Sequence, residues 1–153
     1  MTTVAGIYCR SAPDAGVGVA VALVAGSRLV DQLYRHAAGP VAAAFFEELR
    51  LCGGELFGRY RPARVVLWQL APTVSGVAGG LRAASAGVRS EGALLCAAAG
   101  SGLHVDVAER DDLLSRTRAG RVGAAVDELT RGLDPQPAEP SVRYAAAMAL
   151  AST

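Results

Sequence analysis

Short apolar runs alternate with longer amphipathic ones along this chain, and the change of period marks the elements. Residues 3–8 and 17–25 are β-rich apolar runs joined by the turn sequence PDAG, which predicts a hairpin. SRLVDQLYRHA, residues 27–37, alternates well enough to predict a third strand, and Gly39-Pro40 breaks it. The next stretch, VAAAFFEELRLCGGELFGRY, places Phe45, Leu49, Cys52 and Leu56 on one helical stripe, with Glu47, Glu48, Glu55 and Arg59 elsewhere. Pro62 ends that helix. ARVVLWQL, 63–70, is apolar almost throughout, as a strand covered on both faces should be.

A Gly/Ser-containing loop is predicted over 71–80 and a small-residue helix over 81–99. LHVDV (103–107) reads as a fifth strand, followed by helices near 109–115 and 119–132. A Pro-rich connection, 133–140, leads to a last helix, VRYAAAMALA, which Ser141 can cap. The order βββ-α-β-α-β-α-α-α predicts an α/β domain, a mixed sheet with helices packed on it.

Composition narrows this picture without choosing a function. The 153 residues suit a single domain spanning 1–153, and 52% apolar against 19% charged content argues against disorder. The net charge of +1 neither demands nor excludes an anionic partner. All 15 basic residues are arginine, which, with the abundance of Ala, Gly and Val, reflects GC-rich coding in part. Cys9, Cys52 and Cys96 have no zinc spacing and are expected to be reduced thiols of a cytoplasmic protein. No signal peptide and no membrane span is read from the sequence.

Four segments carry a resemblance. GIYCR stands where RuvC-type Holliday junction resolvases have Gly-Ile-Asp-Pro-Gly, and FEELRLCGGELFGRYRPARVVLWQ is similar to their helix and strand leading into a Glu. EGALLCAAAGSGLHVDV resembles their Arg-Gly-(apolar)-Ala-Ala-(x)-Gly-Leu-Pro-Val, and AAAMALA matches Asp-Ala-Ala-Asp-Ala-Leu-Ala. The resemblance covers essentially the whole chain, with a longer loop before the middle helix as a departure. It implies an RNase H-like fold: three antiparallel strands, then parallel ones, flanked by helices.

It also implies what is missing. Such nucleases hydrolyse a phosphodiester with Mg²⁺ ions held by four carboxylates, because hard divalent cations need oxygen ligands. At the corresponding positions this chain has Tyr8, Trp68 (with Gln69 next), Ala145 and Met148. A one-residue slip restores none of them, since neither 63–70 nor 141–153 contains an acid. The expectation is therefore a pseudo-nuclease with no catalytic residues, no metal and no cofactor. A rebuilt site would have to draw on Asp14, Glu91, Asp106, Glu109, Asp111 and Asp112, and nothing in their spacing makes them converge. ERDD is more simply an acidic helix start.

Each remaining feature has a plain reading beside a functional one. Tyr8 and Trp68, side by side in the implied fold, would be an aromatic plug or, less favoured, a stacking platform for an unpaired base. Arg116, Arg118 and Arg121, with Arg82, Arg89 and Arg10, would be a solvated surface or contacts to backbone phosphates, which are salt-sensitive and blind to sequence. The middle helix lies at the homodimer interface of the resembling family, which implies a C₂ dimer through Ala84, Gly87, Val88, Glu91, Gly92 and Leu95. GVAGG (76–80) lacks the P-loop lysine and reads as a flexible connection. His36 and His104 have no ligand partners at metal spacing. The function expected is an inactive RuvC-like homodimer that binds branched or duplex DNA without cutting it. The alternative is a protein-interaction module that reuses the fold without DNA.

Overall fold

The computed structural model describes residues 2–11, 16–68 and 78–153. Asp14, Gln69 and the 71–77 part of the expected loop lie outside the described residues, as do the side chains of Arg82 and Ala84. The elements are β1 (Val4–Ser11), β2 (Val17–Ala25), β3 (Arg28–Ala37), α1 (Ala43–Tyr60), β4 (Arg64–Trp68), α2 (Ala78–Gly100), β5 (Val105–Ala108), α3 (Arg110–Leu114), α4 (Val122–Thr130) and α5 (Pro140–Ala151). Their order is the one the periodicity predicts. The strands form a mixed sheet in the order β3-β2-β1-β4-β5. β1–β2 and β2–β3 are antiparallel, while β1–β4 and β4–β5 are parallel.

Period-2 alternation along the strands separates two cores. Val4, Tyr8, Ala20, Val24, Val66 and Trp68 face the layer of α3, α4 and α5. Ala5, Ile7, Val19, Leu23, Val65 and Leu67 face α1 and α2. β1, β2 and β4 are covered on both sides, which is why they read as unbroken apolar runs rather than alternating ones.

The α5 layer sits unusually close to the sheet. A Cβ built on Gly6 would lie 1.9 Å from the Ala145 carbonyl oxygen, so only glycine lets the α5 backbone rest on β1. On the other face, Gly53 of α1 and Leu94 and Ala97 of α2 interlock, with Leu49 and Phe57 buried beside them.

Three expectations need correcting. Ala78, Gly79 and Gly80 belong to α2 and not to the connection, so the helix starts earlier than its two glycines suggest. α5 begins at Pro140 and its N-cap is Glu139, whose Oε1 accepts from the Ser141 amide at 3.5 Å. Pro140 takes the first helical position, where its lack of an N–H costs nothing, and this moves Ser141 inside the first turn. On α1 the deeply buried stripe is Leu49, Gly53, Leu56 and Phe57, whereas Phe45 and Cys52 are only half-buried at its margin. The helix ends with Arg61 in the left-handed region, its N–H donating to the Phe57 carbonyl at 2.8 Å, just before Pro62.

Candidate functional site: an aromatic centre at the ends of β1 and β4

β1 and β4 are parallel, and their register sets Tyr8 opposite Trp68 on the α5 face. α5 adds Tyr144 from above. The three rings form one cluster, with Tyr144 stacked on both Tyr8 and Trp68 (centroids 5.1 and 5.6 Å apart) and Tyr8 tilted against Trp68 at 5.5 Å. Offset ring pairs of this kind add about 1 kcal/mol each beyond the area they bury. Ala145 and Met148, one turn apart on α5, are buried in the same core.

The stack is closed to a fourth ring. Trp68 is 0% exposed and Tyr8 only 7%, so neither offers a face on which a base could lie. Of the two readings of Tyr8 and Trp68, the packing favours the plug. Burial pushes the Tyr8 hydroxyl above its ordinary value, helped by the neighbouring Tyr144 and opposed by Arg10. The Trp68 indole N–H is buried and has no acceptor among the described residues.

The four positions that the resemblance matches to carboxylates thus carry a phenol, an indole, a methyl and a thioether. This donor set does not fit Mg²⁺, which takes oxygen ligands and most readily carboxylates. Among the described residues no three His, Cys, Asp or Glu side chains stand together as a metal site. Asp106 pairs with Arg64 at 2.9 Å and with His104 at 3.5 Å. Asp112 accepts from the Glu109 amide at 2.7 Å, starting α3 as an acidic helix start should. Glu91 lies on the opposite side of the sheet, where desolvation raises its carboxyl and its charge helps keep the buried Cys9 thiol protonated.

The candidate arginines whose side chains are described do not all lie on one face. Arg10, Arg89, Arg116, Arg118 and Arg121 are all exposed, and none has an ion-pair partner among the described residues. Arg10 lies one strand repeat beyond Tyr8, on the same face. Arg121 is the N-cap of α4, two residues before Gly123, which approaches the Tyr144 hydroxyl (3.9 Å from a built Cβ). Arg116 lines a cleft of about 290 Å³ with Arg64, Asp106, Asp112, Ser115 and Ser152 along the β5 edge. Arg89 projects from the α2 layer, across the sheet from the others.

On α2, Gly87 is turned inward, where a Cβ would meet Ser11 Oγ at 2.8 Å, and Glu91 is half-buried. Val88 and Leu95 point outward, 62% and 37% exposed, and Gly92 between them has open space over it. His36 is exposed at the end of β3, beside Gly18.

Tyr144 and Tyr34 are members of this neighbourhood that a search for acids passes over. Both are half-buried aromatic residues packed against the core below α5. The available signal was Tyr144's place immediately before Ala145 in the last-helix motif.

The sheet order, its antiparallel-then-parallel pairing and the helix layers define an RNase H-like fold. Within that class the chain is similar to RuvC. It superposes on Thermus thermophilus RuvC in complex with a Holliday junction substrate with a TM-score of 0.72 and 21% identity, covering 99% of this chain and 92% of that one. For another T. thermophilus RuvC structure the TM-score is 0.70 at 21% identity, over 98% and 92% of the two chains. No protein-family model matches the chain, and no curated protein does. No helix among the described residues is long and apolar enough to cross a membrane.

Proposed function

We propose that this protein is a RuvC-fold DNA-binding protein that holds branched or duplex DNA without cleaving it, working as a cytoplasmic homodimer. The observation that carries the proposal is the contrast at one end of the sheet. The four positions that the resemblance matches to carboxylates are filled by the buried Tyr8, Trp68, Ala145 and Met148, while Arg10 and Arg121, exposed and without ion-pair partners among the described residues, stand near them. Hydrolysis through bound metal has no ligands at those positions, whereas phosphate contact needs only the guanidinium groups. Support for dimerisation comes from the outward Val88, Gly92 and Leu95 of α2. Three free thiols are in keeping with a reducing compartment.

The experiment is a gel-shift titration in Mg²⁺ at low and moderate salt, with a four-way junction and a matched duplex. The expected result is a salt-sensitive shift with no cleavage products, weakened when Arg116, Arg118 and Arg121 are all replaced by alanine. Product bands would sink the non-cleaving part, and no shift at low salt would sink DNA binding. A second reading, a protein-interaction module, draws on the exposure of Leu51, Val88, Leu95 and Val107. A protein that leaves both DNAs unshifted would move the assignment there.

A further inference from the structure

Beyond the aromatic stack, the α5 face of the sheet continues as a second row of side chains. Cross-strand register sets Tyr8, Ala20 and Tyr34 in one line and Arg10, Gly18 and His36 in the next. Gly18 has no side chain, and the Tyr34 ring leans into that space: a Cβ on Gly18 would lie 3.5 Å from the Tyr34 hydroxyl and 3.9 Å from the His36 ring. The Tyr34 hydroxyl is therefore drawn toward the row that holds Arg10. Arg10 bears on the Tyr8 and Tyr34 hydroxyls together, lowering both against the burial that raises them. Tyr144, stacked on Tyr8, brings a third hydroxyl, and Gly123 at the start of α4 closes that side.

The chemistry of this cluster is the reverse of a metal site. Its members are one guanidinium and the phenol hydroxyls of Tyr8, Tyr34 and Tyr144, all of which can donate hydrogen bonds. The nearby carboxylate is Glu139, which acts on Tyr34 and is engaged in capping α5. Donors outnumber acceptors, and Arg10 is a cation with no ion-pair partner among the described residues.

We propose that Arg10, with the hydroxyls of Tyr34 and Tyr144 beside the Tyr8 wall, forms a metal-independent binding site for a singly charged phosphodiester. One guanidinium neutralises one negative charge, which favours a diester over a dianionic monoester, and its planar fork suits two phosphate oxygens. The hydroxyls of the half-buried Tyr34 and Tyr144 supply the remaining donors. The site deepens the DNA-binding reading and rests on it for the biological source of the ligand. The local chemistry does not depend on the arginines at 116–121.

The test uses dimethyl phosphate as the probe, titrated in EDTA into the ¹⁵N-labelled protein. The readouts are the backbone amides of Arg10 and Tyr34 and the indole N–H of Trp68, the chain's one tryptophan. Saturable shifts confined to these positions are expected. Arg10→Ala should raise the dissociation constant at least about tenfold, the factor that one charge-assisted hydrogen bond supplies. Arg10 is exposed, so the variant should keep the wild-type amide spectrum elsewhere. Tyr34→Phe should weaken binding less, and Glu139→Gln should tighten it.

No saturable shift at these residues, or equal binding by Arg10→Ala, overturns the site. Inorganic phosphate binding more than about tenfold tighter than the diester would overturn the assignment of a singly charged ligand. A protein that shifts DNA in gels yet is silent to dimethyl phosphate loses this site and keeps the DNA-binding reading. One that binds dimethyl phosphate but no DNA keeps the site and loses that reading.

Discussion

The helix layers on the two faces of the sheet use their small residues in opposite ways. On one face, α5 presents Ala145, Ala146, Ala147 and Ala149 to the core, and with Gly6 beneath them the helix backbone rests almost on the strand. Nothing of that seam is left for a partner. On the other face, α2 is equally rich in alanine and glycine, yet among its described residues the buried ones are Ala86, Gly87, Ser90, Leu94, Ala97 and Ala98. Its outer side carries Val88 and Leu95 into solvent on either side of Gly92. Small residues at helical spacing therefore do not by themselves say what they approach. A glycine whose missing Cβ would strike the protein's own backbone is committed to the fold, and one with open space above it is available.

The largest effect should come from the committed side. Gly6→Ala sets a methyl group against the Ala145 carbonyl, backbone that no rotamer change can move aside. A loss of about 3 kcal/mol or more in folding stability is expected, at the upper end of overpacking costs. Urea denaturation measures it. A change within error would mean that α5 stands off the sheet, and the contrast between the two faces would fail.

The intermediate effect tests the available side. Val88→Glu with Leu95→Glu should leave folding stability within about 0.5 kcal/mol, as exposed substitutions do. The pair should also weaken self-association at least about tenfold by setting like charges against each other across a symmetric contact. Sedimentation equilibrium reads the association. Leu94→Ala, one residue away but fully buried, should do the converse, costing about 2–5 kcal/mol of stability. If the double variant unfolds, the outer stripe is part of the core; if association is untouched, the proposed contact through α2 fails.

How much of this was legible in the sequence follows the same division. The strands were legible because β-branched and apolar runs between turn residues have few other ways to fold, and Tyr8 beside Trp68 follows once β1 and β4 are parallel neighbours. That Tyr8, Trp68, Ala145 and Met148 stand where the resemblance implies carboxylates could be read residue by residue. The Tyr34–Arg10 neighbourhood could not, since it depends on the register across β2 and on the space left by Gly18, which is set by the whole sheet. Tyr144 is hidden differently: in a helix of alanines its direction is fixed by which face lies on Gly6, and no local pattern states that. The start of α2 was misplaced because Gly79 and Gly80 are poor helix formers on their own. The cap of α5 was misplaced although Pro140 pointed to it.

The smallest effect concerns Glu91, a half-buried charged residue on α2. Half-buried with Cys9 nearby, its carboxyl is held above the ordinary 4.5 by desolvation. A raised value means that the folded chain holds the proton more tightly than the unfolded chain. The stability this group lends is therefore full below its unfolded value and is lost as pH rises through its folded one. Glu91→Gln cannot ionise, so it should be slightly more stable than wild type at neutral pH, with the gain shrinking to nothing in acid. Parallel urea titrations across that range read the difference. A gain that stays flat with pH would locate the effect in packing, and one that grows on acidification would mean that Glu91 is stabilised as a carboxylate by a cation. In that event the inner side of α2 would be polar where it now counts as core, and the two faces of the sheet would differ less than their glycines suggest.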